Sequence, residues 1–132
     1  MKRIVALSDI HGFYDEMIAA LNEVNFNPET DLFVSCGDAM DRGSKPRQVI
    51  EFLNRLPNKV LVRGNHEQLM QDAIKRKCFL YHDFHNGTAN TAYDFCTKEN
   101  AGIMNHAQIL GELKDDPEYQ KYMDLLVNYY ET

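Results

Sequence analysis

The sequence predicts an α/β domain whose strands run parallel. Two observations carry this. Short apolar runs rich in β-branched residues alternate with longer stretches whose apolar residues recur at helical spacing. In addition, a polar cluster follows directly on each of these runs. The β-loop-α order occurs three times, which implies parallel strands joined by right-handed crossovers. Loops of this kind gather at the carboxyl ends of the strands, where open α/β sheets hold their ligands.

The elements follow in order. Ile4 to Leu7 is a short apolar run and a strand. From Asp15 to Val24, the residues Met17, Ile18, Leu21 and Val24 fall at helical spacing. Asn25 to Asp31 is rich in turn formers, and Leu32 to Cys36 is a second strand. Gly37 to Lys45 is a loop. Ser44 is the expected cap of a helix with Pro46 in its first turn, where a missing N–H costs little. Val49, Ile50, Leu53 and Leu56 make its apolar stripe. After a turn at Pro57-Asn58, Lys59 to Val62 is a third strand. A helix starts near His66, with Leu69, Met70 and Ala73 facing inward. From Asn86 onward the chain looks helical throughout. Candidates are Ala89 to Cys96, His106 to Leu113 and Pro117 to Tyr130, separated by Gly102 and by Asp115-Asp116-Pro117.

Composition bounds the function. The 132 residues make one domain, 44% apolar and 26% charged, which excludes a disordered chain. No apolar run approaches the ~20 residues of a membrane span. The run after Met1-Lys2-Arg3 is too short for a secretory segment, so the chain is expected to be cytoplasmic. A net charge of −6 argues against nucleic acid as a partner. Cys36, Cys78 and Cys96 form no C-x-x-C pair and are expected to be free thiols.

Three clusters carry chemistry, one after each strand. In Asp9-Ile10-His11-Gly12, carboxylate oxygen and imidazole nitrogen together suit manganese, iron or zinc; by itself the pair could be an exposed turn. In Gly37-Asp38-Ala39-Met40-Asp41-Arg42-Gly43, one carboxylate can bridge two cations, and the arginine can fork two hydrogen bonds onto a phosphate. An ordinary turn with a surface ion pair would not explain the bracketing glycines, which permit close backbone approach. In Arg63-Gly64-Asn65-His66-Glu67, an amide oxygen is a modest metal ligand, and a histidine at a helix start can give a proton to a leaving group. The plain alternative is that Asn65 caps the helix and His66 is its first residue.

In this order and each after a strand, Asp-x-His, Gly-Asp-x-x-Asp-Arg-Gly and Gly-Asn-His-Glu resemble the phosphoprotein phosphatase branch of the calcineurin-like metallophosphoesterases. That branch includes Ser/Thr protein phosphatases and symmetrical diadenosine tetraphosphate hydrolases. Gly64 to Met70 is especially similar to bacterial and phage members, and Asn86-Gly87-Thr88 looks like a weaker continuation. The resemblance implies a layered α/β sandwich of which this chain holds the N-terminal β-α-β-α-β half plus helices. It implies that Asp9, His11 and Asp38 hold one divalent ion. Asp38 and Asn65 would contact a second, with manganese favoured. It further implies that His66 is the general acid, oriented by Asp41, and that Arg42 clamps the phosphate. Two ions about 3.5–4 Å apart would activate a water for direct attack on phosphorus. Arg63 and Glu67 would support the loop. His82, His85 and His106 match no ligand motif and are expected at exposed polar positions. His85 is expected in a loop near the site, and Tyr119, Tyr122, Tyr129 and Tyr130 on a packed helix.

Complete members carry two further metal-binding histidines and a further arginine in segments that would follow Thr132. One well-formed metal site is therefore expected here, with an open sheet edge and apolar surface that self-association would cover. The expected substrate is a phosphoprotein or small phosphoester. The alternatives are a symmetrical dinucleoside tetraphosphate hydrolase, or a catalytically incomplete metal-binding or interaction module.

Overall fold

A computed structural model of the chain describes residues 3–96 and 104–131. Strands β1 (Ile4–Leu7), β2 (Leu32–Ser35), β3 (Lys59–Val62) and β4 (Leu126–Val127) form one sheet in that order. Every pairing is parallel. Helix α1 (Tyr14–Glu23) links β1 to β2, and α2 (Pro46–Arg55) links β2 to β3. Between β3 and β4 lie α3 (Asn65–Arg76), α4 (Tyr81–His85), α5 (Thr88–Phe95), α6 (His106–Asp115) and α7 (Pro117–Leu125).

A sheet in sequential order with right-handed crossovers keeps its connecting helices on one face. The side chains agree. On the helix side, Phe33 and Leu61 are buried, and Val5, Leu7 and Leu126 pack against the same core. The expected stripe of α2 lies in it, with Val49, Ile50 and Leu53 fully buried. Each such side chain contributes about 1.5–3 kcal/mol when removed from water. Strand alternation and register put Ile4, Ala6, Leu32, Val34, Val60, Val62 and Val127 on the opposite face. None of these seven belongs to the helix-packed core, and Ile4 and Val127 are each 43% exposed. This sheet face is apolar, exposed at Ile4 and Val127, half-buried at Leu32, Val60 and Val62, and buried at Val34. Among the described residues no helix is long and apolar enough to cross a membrane.

Four expectations need correction. Ser44 does not cap α2. Lys45 occupies that position, and the Asp94 carboxylate of α5 accepts the Arg47 N–H at 2.9 Å, satisfying one of the free donors of the first turn. The last helix does not reach Tyr130. It stops at Leu125, and Leu126–Val127 pair with β3, so a fourth strand begins within the chain. Tyr119 and Tyr122 are packed as expected, whereas Tyr129 and Tyr130 lie beyond the helix and are exposed. His85 ends α4, a helix the sequence reading did not contain. His82 and His85 are exposed, but His106 is partly buried and accepts the Phe79 N–H at 3.2 Å. Gly102, expected to separate two helices, lies outside the described residues. The three cysteines are free.

Candidate active site

The three loops after β1, β2 and β3 lock together through their backbones. Asp9 N–H donates to Gly37 O, His11 N–H to Asp38 O and Gly12 N–H to Ala39 O. The third loop presses on the second. A Cβ on Gly64 would stand 2.5 Å from Asp38 N, and one on Gly37 would stand 2.6 Å from the Gly64 Cα. Only glycine allows that approach. Five of the seven residues singled out in the sequence take positive φ: Asp9 (54°), His11 (47°), Asp38 (59°), Asp41 (74°) and Arg42 (59°). Such conformations cost of order 1 kcal/mol or more each for non-glycine residues, and they concentrate where side chains must be aimed.

What they aim is a cluster. Ligand-capable atoms of Asp9, His11 and Asp38 all lie within 4.8 Å of one another. The His11 ring is 8% exposed with its residue, and its Nδ1 is 2.9 Å from Met40 O. A carbonyl only accepts, so Nδ1 carries a proton and donates. That leaves Nε2 on the side of Asp9, 3.6 Å from its Oδ1. Fixing one ring nitrogen on a backbone carbonyl while the other faces carboxylates is how proteins orient a metal-binding imidazole. The donor set of two carboxylates and one imidazole fits a divalent manganese, iron or zinc ion.

Asp38 also serves the fold. Its Oδ1 accepts the His66 N–H at 2.8 Å, satisfying a free donor in the first turn of α3. The plain alternative for Asn65 is thereby corrected. Gly64 is the cap residue, Asn65 is the first residue of α3 with its side chain exposed, and the capping carboxylate comes from the neighbouring loop.

His66 sits beside His11 with ring centroids 4.6 Å apart, edge to face. Its Nδ1 is 2.8 Å from Asp41 Oδ2, and Asp41 is wholly buried. Nδ1 donates to the carboxylate, and Nε2 remains for proton transfer. The Arg42 side chain is exposed and makes no hydrogen bond or ion pair with other described residues. The structure thus brings Asp9, His11, Asp38, Asp41 and His66 together. It leaves Arg42 and Asn65 exposed, on residues adjacent to Asp41 and His66.

Glu67 is fully buried behind the loop. It accepts from Asp38 N–H (3.1 Å), Ala39 N–H (3.4 Å) and the Tyr122 hydroxyl (2.7 Å). Burial pushes its carboxyl above the ordinary glutamate range, while the Tyr122 and Ala39 donors pull it back. The supporting part expected of Glu67 has a concrete form: it ties the Asp38 backbone to α7. Arg63 donates to Gln71 from its side chain and to Val127 O from its backbone, joining the third loop to β4.

Sequence reasoning missed Tyr122 as a partner of Glu67, and although it expected a helix from Ala89 to Cys96, it missed the contacts that α5 makes with the site loops. Thr88 and Thr91 bond Asp41, Asn90 donates to Gly43 O, and Asp94 caps α2. The one available signal was Gly87 between Asn86 and Thr88. It has φ +86°, and a Cβ there would collide with the Arg42 backbone nitrogen.

Part of the chain is similar to known proteins. Over 74 residues the chain is 39% identical to Serine/threonine-protein phosphatase 2 of Salmonella typhimurium, covering 56% of this chain and 34% of that protein. Over 62 residues it is 44% identical to the symmetrical Bis(5'-nucleosyl)-tetraphosphatase of Salmonella paratyphi B, covering 46% of this chain and 22% of that protein. A crystal structure described as that of a diadenosine tetraphosphatase shares the fold at 20% identity and a TM-score of 0.52, covering 84% of this chain and 47% of the other. The chain thus spans about a third or less of the length of the curated relatives it matches. The profile of the calcineurin-like phosphoesterases matches residues 2–128, and the chain belongs to that family.

Proposed function

We propose that this chain carries the metal-holding and phosphate-binding machinery of a cytoplasmic phosphoester hydrolase acting on phosphoserine or phosphothreonine in proteins. The observation that carries the reading is the convergence, within one set of interlocked loops, of the Asp9-His11-Asp38 cluster and the Asp41–His66 pair. Asp9, His11 and Asp38 would hold one divalent ion, manganese by preference, and Asp38 with Asn65 would contact a second. Such ions, when bound, acidify a water and neutralise charge on a phosphate.

The remaining work belongs to the side chains. Asp41 holds the proton on His66 Nδ1, so that Nε2 can carry the proton given to the leaving oxygen. Arg42, exposed and unpaired among the described residues, forks onto phosphate oxygens. Glu67 and the glycines keep the carboxylates aimed.

A second reading is supported by the 44% identity to the symmetrical tetraphosphatase, whose name specifies a dinucleoside polyphosphate substrate. The test is turnover of a phosphothreonine peptide, diadenosine tetraphosphate and an aryl phosphate by the chain with manganese. Release of phosphate from the peptide and the aryl ester is expected. Cleavage of the dinucleotide alone would replace the substrate. Turnover of none of them would refute the reading in favour of a non-catalytic metal-binding module.

A further inference from the structure

Asp41 is held from three directions. His66 Nδ1 and the Thr88 hydroxyl both reach Oδ2, at 2.8 and 2.9 Å. The Thr91 hydroxyl reaches Oδ1 at 2.8 Å. Thr91 Oγ1 also accepts the Asp41 backbone N–H at 2.8 Å. Because that oxygen is already an acceptor for the N–H, its single proton is available for the carboxylate. All three of Asp41, Thr88 and Thr91 are fully shielded from water.

The placement is built rather than incidental. The two threonines lie three apart on α5, so both hydroxyls leave one face of the helix. Helix α5 starts at Gly87, whose backbone lies against Arg42 so closely that no Cβ would fit. Asp41 itself is at φ 74°, turned toward the helix. A hydrophobic helix packing here would be served equally well by valine. Threonine at both positions gives the carboxylate two further donors, and a buried acceptor without donors is costly.

We propose that Thr88 and Thr91 are positioning residues that fix the Asp41 carboxylate in the orientation that keeps the His66 proton on Nδ1 and directs Nε2 outward. The proposal rests on the reading of His66 as proton donor for its catalytic consequence, but not for its structural content. With both hydroxyls present, Oδ2 has one direction open for His66. Without them the carboxylate is free to rotate about its χ2 bond, and the imidazole loses its fixed partner.

The test uses the metal-free chain labelled with nitrogen-15 and reads the His66 ring nitrogens at one fixed pH. Wild type should show a protected, hydrogen-bonded Nδ1 proton. Thr91→Val and the double variant Thr88→Val with Thr91→Val should lose it or shift to the other ring tautomer. Thr91→Ser, which keeps the hydroxyl, should restore it. Where the manganese-loaded chain turns over an aryl phosphate, kcat of Thr91→Val should fall about 10-fold or more with KM within about twofold. An unchanged Nδ1 signal in both valine variants overturns the proposal, as does its loss in the folded serine variant. Absence of turnover with the ring signals behaving as stated would count against the proposed activity and leave the positioning role supported.

Discussion

Replacing Tyr122 by phenylalanine removes one oxygen and leaves the ring in place. The lost bond is the 2.7 Å donation to Glu67 Oε1, with both residues wholly buried. A hydrogen bond to a charged, buried acceptor is worth roughly 1.5–3 kcal/mol. No side-chain volume beyond the hydroxyl is removed, so no cavity cost adds to it. The expected loss is about 2 kcal/mol, or about 8 °C in Tm for a chain of this size. The loss depends on pH. Burial raises the Glu67 carboxyl above its ordinary range in the folded chain. The folded state therefore binds a proton more tightly than the unfolded one there, and Glu67 favours folding most at low pH. Its contribution fades as pH rises through the raised value. The Tyr122 donor offsets that fading by stabilising the ionised form. The penalty of Tyr122→Phe should therefore be larger at pH 8 than at pH 5, because the lost donor serves the ionised form of Glu67 and raised pH favours that form. Urea unfolding of both chains at the two pH values is the assay. A penalty under about 0.5 kcal/mol at pH 8, or one that grows toward pH 5, would refute the reasoning.

Gly87→Ala should destabilise by at least about 2 kcal/mol, measured by urea unfolding, because φ +86° and the collision with the Arg42 backbone act together. Arg42→Ala should leave stability within about 0.5 kcal/mol, since the side chain is exposed, while raising KM for an aryl phosphate at least about 10-fold. The apolar sheet face should draw chains together. Sedimentation velocity should show concentration-dependent association of the wild type that Val60→Lys, on that face, reduces.

The first six elements were legible because each announces itself locally. Ile4–Leu7, Leu32–Ser35 and Lys59–Val62 are β-branched runs bounded by turn formers, and the stripe of α2 has one unambiguous period. Leu126–Val127 was not legible. Leu125, Leu126 and Val127 continue the helical pattern of α7, and only pairing with β3 makes a strand of them. Helix α4 is five residues long and carries no period to detect. The expected Ser44 cap and the plain alternative of an Asn65 cap both fail because the capping carboxylates come from elsewhere: Asp94 for α2 and Asp38 for α3. Sequence proximity favours Ser44 and Asn65, and tertiary structure supplies a better acceptor. In the site, Asp9, His11, Asp38, Asp41 and His66 stand out as charged or imidazole groups beside glycines. Thr88, Thr91 and Tyr122 do not, since on an amphipathic helix each passes for ordinary packing.

The most direct test of the account is calorimetric titration of the chain with manganese, alongside His11→Ala and Asp38→Ala. The cluster of Asp9, His11 and Asp38 predicts one well-formed site, hence one ion bound per chain and no binding of that ion in either variant. Failure of the wild type to bind, or binding by the variants as tight as by the wild type, would contradict it.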